Sequence, residues 1–106
     1  MAYKYLGIER KNRVAIVSLT NPPYNFLRQG MIHELALAFE AFAHDETIGS
    51  VVLTGGVPGY FVAHADLDVV AATSPDNPAA RPGLALWHRT FDAVQHSPRV
   101  VIAAIN

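Results

Sequence analysis

Ser50-Val51-Val52-Leu53-Thr54 is an apolar run without alternation, and it leads straight into Gly55-Gly56-Val57-Pro58-Gly59. A strand that does not alternate is expected to be covered on both faces, as in the sheets of α/β proteins, so Gly49 to Thr54 predicts a buried strand. After the glycine-punctuated loop, Tyr60-Phe61-Val62-Ala63-His64-Ala65-Asp66-Leu67 predicts a tight turn that opens a short helix at Asp66. The first N–H groups of a helix have no partner inside it. Such a turn can therefore aim donors at an anionic oxygen.

The remaining elements arrange themselves around this strand. Tyr3 to Glu9 alternates loosely, Arg10-Lys11-Asn12-Arg13 is a polar turn, and Val14-Ala15-Ile16-Val17-Ser18-Leu19 is rich in β-branched residues, which together predict a hairpin. Asn21-Pro22-Pro23 stops the second strand, because proline cannot donate to a ladder. From Met31 the apolar period lengthens to that of a helix. Met31, Leu35, Phe39 and Phe42 share a stripe with Ile32 and Ala38 beside it, while His33, Glu34 and Glu40 lie elsewhere. Asp66 to Ala72 predicts one or two helical turns. Thr73 to Gly83, with Pro75, Pro78, Pro82 and Gly83, reads as a mobile loop near the site. Leu84, Trp87, Phe91 and Val94 then mark a second amphipathic helix to about His96, and Arg99 to Asn106 a last apolar strand.

With 106 residues the chain holds one core. Apolar residues make up 51% and charged residues only 16%, against about 25% in an ordinary soluble domain. Such a chain must hide surface, by oligomerising or against partner surface it lacks. The net charge of −1 is scattered, so no nucleic-acid-binding face is expected. Cysteine is absent, which excludes disulfides and thiolate metal sites. Met1 to Tyr5 lacks an apolar leader core, and Val100 to Ile105 is too short for a membrane span, so no membrane partner and a cytoplasmic location are expected.

Several constellations carry less. His88, Asp92 and His96 share a helix face at a spacing that metal ligands use, but a solvated polar face explains them as well, and no metal is expected. Asp45-Glu46 is a solvent-facing acidic pair. Asp66 fits the N-terminal position of its helix. Gly55 to Gly59 lacks the spacing of a dinucleotide-binding fingerprint.

The set as a whole resembles the N-terminal part of the crotonase superfamily, the enoyl-CoA hydratases and isomerases. The resemblance rests on Val14 to Leu19 followed by Asn21 to Leu27, on Met31, Glu34-Leu35 and Phe39, on Val51 to Gly55 through Phe61 to Leu67, and on Pro98 to Asn106. It implies an α/β fold, a crotonase-like spiral of repeated ββα units, assembled as a homotrimer or hexamer. It also implies an acyl-CoA thioester as ligand, with coenzyme A as part of the substrate and no separate cofactor. The thioester oxygen would be held by two backbone N–H groups while an enolate forms. By position the first donor is Ala65, and backbone groups of Ala63, Asp66 and Leu67 would lie near the adenine and pantetheine arm. Arg28 or Lys11 could meet the CoA phosphates.

Two departures from the family pattern stand out. His64 replaces the glycine usual before the donor, which predicts either a non-standard loop path or left-handed angles at His64, and it could also carry a proton. The second donor and the acid/base carboxylates belong to the family's sequence beyond the position of Asn106. Residues 1–106 thus predict an incomplete domain, truncated before the second oxyanion turn and inactive alone. The alternative is a non-catalytic acyl-CoA-binding or interaction module, a degenerate member that assembles with a complete subunit.

Overall fold

A computed structural model of the chain describes residues 2–67 and 81–106, the first four of the second segment as backbone only. Strands β1 (Leu6–Lys11), β2 (Val14–Leu19), β3 (Ser50–Gly55) and β4 (Val100–Ala104) form one sheet in that order. The first pair is antiparallel and the other two are parallel. The hairpin turn is tighter than the sequence suggests. Asn12 takes φ 54°, a left-handed angle that asparagine tolerates, so the chain reverses early enough for Arg10 and Lys11 to stay paired with Ala15 and Val14.

Helix α1 (Gln29–Ala43) begins just before the expected Met31 and buries the expected stripe: Met31, Ile32, Leu35, Ala38, Phe39 and Phe42. Along β2, buried Ala15, Val17 and Leu19 alternate with half-buried Val14, Ile16 and Ser18. Pairing registers place Val51 and Val101 beside Ala15, on the face that the α1 stripe covers. Glu34 of α1 ties down the N-terminal segment, its carboxylate accepting the Tyr5 N–H at 2.9 Å.

The expectation that β3 is covered on both faces does not hold. Ile16, Val52 and Ile102 form a row across the sheet on the side away from Ala15. None of the three joins the buried cluster, and Ile102 is half exposed. The lack of alternation in Val51-Val52-Leu53 therefore reflects one packed face and one apolar face with little cover among the described residues.

Helix α2 (Arg81–Gln95) packs along α1. It already includes Arg81, Pro82 and Gly83, which the sequence assigns to a loop; proline is tolerated in a first helical turn because its missing N–H would have had no partner there. The rest of the expected loop, Thr73 to Ala80, and the turns from Asp68 to Ala72 lie outside the described residues. The stripe expected on α2 is corrected too. Thr90, wholly buried, sits between Leu86 and Val94, whereas Phe91 is half exposed with its ring edge-on to Trp87. A threonine can take that place because its hydroxyl donates to the Leu86 carbonyl at 2.7 Å, satisfied within its own helix. Trp87 spans the helix pair by donating its indole N–H to Gln29 Oε1 at 2.7 Å. Among the described residues no helix is long and apolar enough to cross a membrane.

The parallel strands β2, β3 and β4 all end on one edge, at Leu19, Gly55 and Ala104. Open α/β sheets gather ligands at that edge, because the loops leaving it converge. At the other edge the α1–β3 connection is held by Asp45, which accepts hydrogen bonds from the Thr47 hydroxyl and N–H.

Replacing Phe39 by alanine should cost about 3–5 kcal/mol, the usual cost of emptying an aromatic site in a packed core, measured by denaturant unfolding. The bonds from Thr47 hold the Asp45 carboxyl below the ordinary aspartate range. Its contribution to stability is thus present above that range and fades as pH falls through the lowered value. An NMR titration should place the Asp45 midpoint below that of Asp45 in the unfolded chain.

Candidate functional site

Two irregular segments meet at the C-terminal edge of the sheet: residues 20–28 after β2 and residues 56–67 after β3. Asn25 joins them. It is wholly buried with φ 61°, again a left-handed angle, and both ends of its side-chain amide are hydrogen-bonded. Nδ2 donates to the carbonyls of Leu19 at 2.9 Å and Phe61 at 2.8 Å, and Oδ1 accepts the Asn21 N–H at 2.8 Å. The Asn25 carbonyl in turn accepts the Ala63 N–H at 3.2 Å. Sequence reasoning singled out no role for Asn25. The available signal was an asparagine two residues after Pro22-Pro23, a residue that both tolerates left-handed angles and carries a four-bond amide.

The glycines of the second segment answer to close approach. A Cβ on Gly55 would lie 1.9 Å from the Tyr60 carbonyl oxygen, so only glycine lets the loop fold back over the end of β3. Pro58 and Gly59, the latter at φ 81°, form the middle of a turn closed by Tyr60 N–H to Val57 O at 3.0 Å, with the angles of type II. Asn106 secures the same point from β4. Its amide accepts the Gly55 N–H at 3.2 Å and donates to the Gly55 carbonyl at 3.3 Å.

Beyond that turn, residues 64–66 run extended beside Leu27 as a one-residue parallel bridge, Leu27 with Ala65. The Leu27 N–H donates to the His64 carbonyl at 2.9 Å, and the Leu27 carbonyl accepts the Asp66 N–H at 2.9 Å. In this pattern the bridged residue turns its own N–H and C=O to the other side. The Ala65 N–H meets no acceptor among the described residues, while its peptide unit is fixed through the His64 carbonyl.

This bridge overturns the expectation of left-handed angles at His64. Among the described non-glycine residues only Asn12 and Asn25 have positive φ, since an extended segment paired to Leu27 needs angles that any residue adopts. The His64 ring lies against Phe26, with ring centres 4.6 Å apart, and its Nδ1 meets the Ala65 carbonyl oxygen at 2.7 Å. Phe26, His64, Asp66 and the largely exposed Leu67 line a cleft of about 270 Å³. Leu67 is already helical, with Asp66 at the position before it.

The other expected residues divide. Arg28 does not line the cleft but lies beside it, its half-exposed guanidinium 4.0 Å from the more buried Asp66 carboxylate; a pair of that length contributes at most about 1 kcal/mol. Ala63 has its N–H committed to Asn25 and keeps its carbonyl. Lys11 is ruled out by topology: it pairs with Val14 at the start of β2, the edge opposite the cleft. His88, Asp92 and His96 are exposed on α2, away from the cleft. The larger groove, about 470 Å³ between α1 and α2, is lined by residues such as Leu37, Glu40 and Arg89 and touches none of the donors described above.

Residues 9–106 match the family model of enoyl-CoA hydratase/isomerase. Among curated relatives, the chain is 33% identical over 95 residues to human enoyl-CoA delta isomerase 1, mitochondrial, covering 88% of this chain and 30% of that protein. It is 28% identical over 107 residues to crotonyl-CoA hydratase of Syntrophomonas wolfei, covering 100% of this chain and 40% of that protein. The structure of Pseudomonas aeruginosa DspI superposes with a TM-score of 0.86 at 30% identity, over 96% of this chain and 41% of that one. The chain thus spans less than half the length of the proteins it matches.

Substituting Asn25 by alanine leaves the Phe61 carbonyl and the Asn21 N–H without their partner, while the Leu19 carbonyl keeps only the Gly56 N–H. The expected loss is about 2–4 kcal/mol in denaturant unfolding, since each orphaned buried group costs about 1–3 kcal/mol.

Proposed function

Because the chain belongs to the enoyl-CoA hydratase/isomerase family, we propose that it supplies the first half of a thioester oxyanion site. An acyl-CoA would bind at the C-terminal edge of the sheet and place its carbonyl oxygen on the Ala65 N–H. The observation that supports this reading most is the Ala65 donor itself, without an acceptor among the described residues and in a peptide unit bonded to Leu27 through the His64 carbonyl.

The chemistry follows from where charge develops. Water addition to an enoyl thioester, or proton removal beside its carbonyl, moves an electron pair onto the thioester oxygen. A donor already aimed there stabilises that charge without reorganising, and removing one such donor typically costs about 10²–10³ in rate. Phe26 and Leu67 would offer the acyl or pantetheine chain apolar contact, with Arg28 in reach of a CoA phosphate. Ala63 and Asp66 have both committed their N–H groups, so their contact with CoA would be through acceptor atoms. The second donor and the acids that choose between hydration and isomerisation would come from sequence beyond residues 1–106. A non-catalytic acyl-CoA-binding module is the second reading, favoured by Asp66, the one carboxylate lining the cleft among the described residues, lying beside Arg28.

The test is a short-chain enoyl-CoA assay on the protein expressed from its native gene, together with Ala65→Pro. Proline at 65 removes the Ala65 N–H, puts a ring carbon in its place and spares both bonds of the bridge, which use the His64 carbonyl and the Asp66 N–H. Turnover should fall about 10²–10³-fold with the circular dichroism spectrum unchanged. Full activity in A65P would refute the assignment, and binding without turnover in the parent protein would establish the non-catalytic module.

A further inference from the structure

Ala65 presents a second group beside its donor. In an extended residue the N–H and the C=O point to the same side, so an anionic oxygen drawn to the Ala65 N–H also approaches the negative end of the Ala65 carbonyl. That carbonyl is not bare. His64 Nδ1 lies 2.7 Å from it, and since a carbonyl can only accept, Nδ1 is the donor of this contact. The ring is held in that pose by Phe26, whose ring centre is 4.6 Å away.

We propose that His64 is a positioning residue that caps the Ala65 carbonyl and so strengthens the neighbouring Ala65 N–H as an oxyanion donor. The inference rests on the reading of Ala65 given above. The cap acts in two ways: the imidazole N–H neutralises the carbonyl's partial charge where the anion would feel it, and it fixes the 65–66 peptide from the side opposite Leu27. Without a side chain at position 64, that carbonyl would face the bound oxygen uncapped. On this reading His64 is a gain at the site: its backbone carries no left-handed strain, and its exposed ring makes one hydrogen-bond contact and one ring contact.

The experiment uses a chromophoric thioester, 4-(dimethylamino)cinnamoyl-CoA, whose absorption moves to the red as its carbonyl is polarised. It compares the protein expressed from its native gene with His64→Phe, which keeps a ring against Phe26 but has no donor, and His64→Asn, whose amide N–H can reach the same carbonyl. The parent should bind with a red shift. H64F should lose most of the shift and bind about five- to tenfold more weakly, the usual effect of one hydrogen bond, while H64N should recover most of both. An undiminished shift in H64F overturns the proposal, as does an H64N protein that behaves like H64F. If the parent binds the probe without any shift, the Ala65 assignment itself fails and His64 falls with it.

Discussion

Neither segment at the sheet edge is regular, and each brings backbone polar groups that have no ladder to enter. Buried away from water, such groups must find partners or destabilise the fold. The side chain of Asn25 resolves most of that demand at one point, donating to the end of β2 and to the return of the second loop while accepting from Asn21. With those carbonyls satisfied, the chain can run on beside Leu27 and form the bridge that aims Ala65. The arrangement of the candidate site is thus secondary to a structural amide that never touches it. The glycine at 55 is the steric counterpart, since the Tyr60 carbonyl occupies the space a side chain would need.

The sheet gives these loops a floor that is packed from one side. The α1 stripe and the inner residues of α2 bury the face of Ala15, Val17 and Val51, leaving Ile16, Val52 and Ile102 as an apolar row outside the core. Few charges interrupt that row, which accounts for where a chain with 16% charged residues keeps its excess of apolar surface. The α1–α2 groove is larger than the Phe26–Leu67 cleft, yet size is a poor guide here. The smaller cleft holds an unspent backbone donor, and the larger one is a seam between two helices.

What the sequence revealed follows the range of the interactions involved. β2, β3 and the stripe of α1 were legible because period and β-branching are local, and Met31, Leu35, Phe39 and Phe42 are all buried as their spacing requires. Ala65 was legible only through resemblance. The errors come from contacts between distant residues. Left-handed angles at His64 are one of the two outcomes that the missing glycine predicts, but the pairing partner that keeps it extended is Leu27, in another loop. Phe91 outranks Thr90 in hydrophobicity, yet the position facing α1 is Thr90, whose hydroxyl is satisfied inside the helix. A strand without alternation also reads the same whether its second face is packed or only apolar, so β3 could not be resolved from Val51-Val52-Leu53 alone.

The bonds that build the site join residues far apart in the chain: Asn25 reaches Phe61 across 36 positions, and Gly55 meets Asn106 across 51. Contacts of that span require loop closure before they return any stabilisation, as do the pairings of β2 with β3 and of β3 with β4, which join residues about as far apart. The Ala65 donor consequently has no partial version. A chain that has folded only its hairpin and first helix holds the residues of the site and none of its geometry, and the capacity to hold an anionic oxygen appears in one step, with the closing of the two loops.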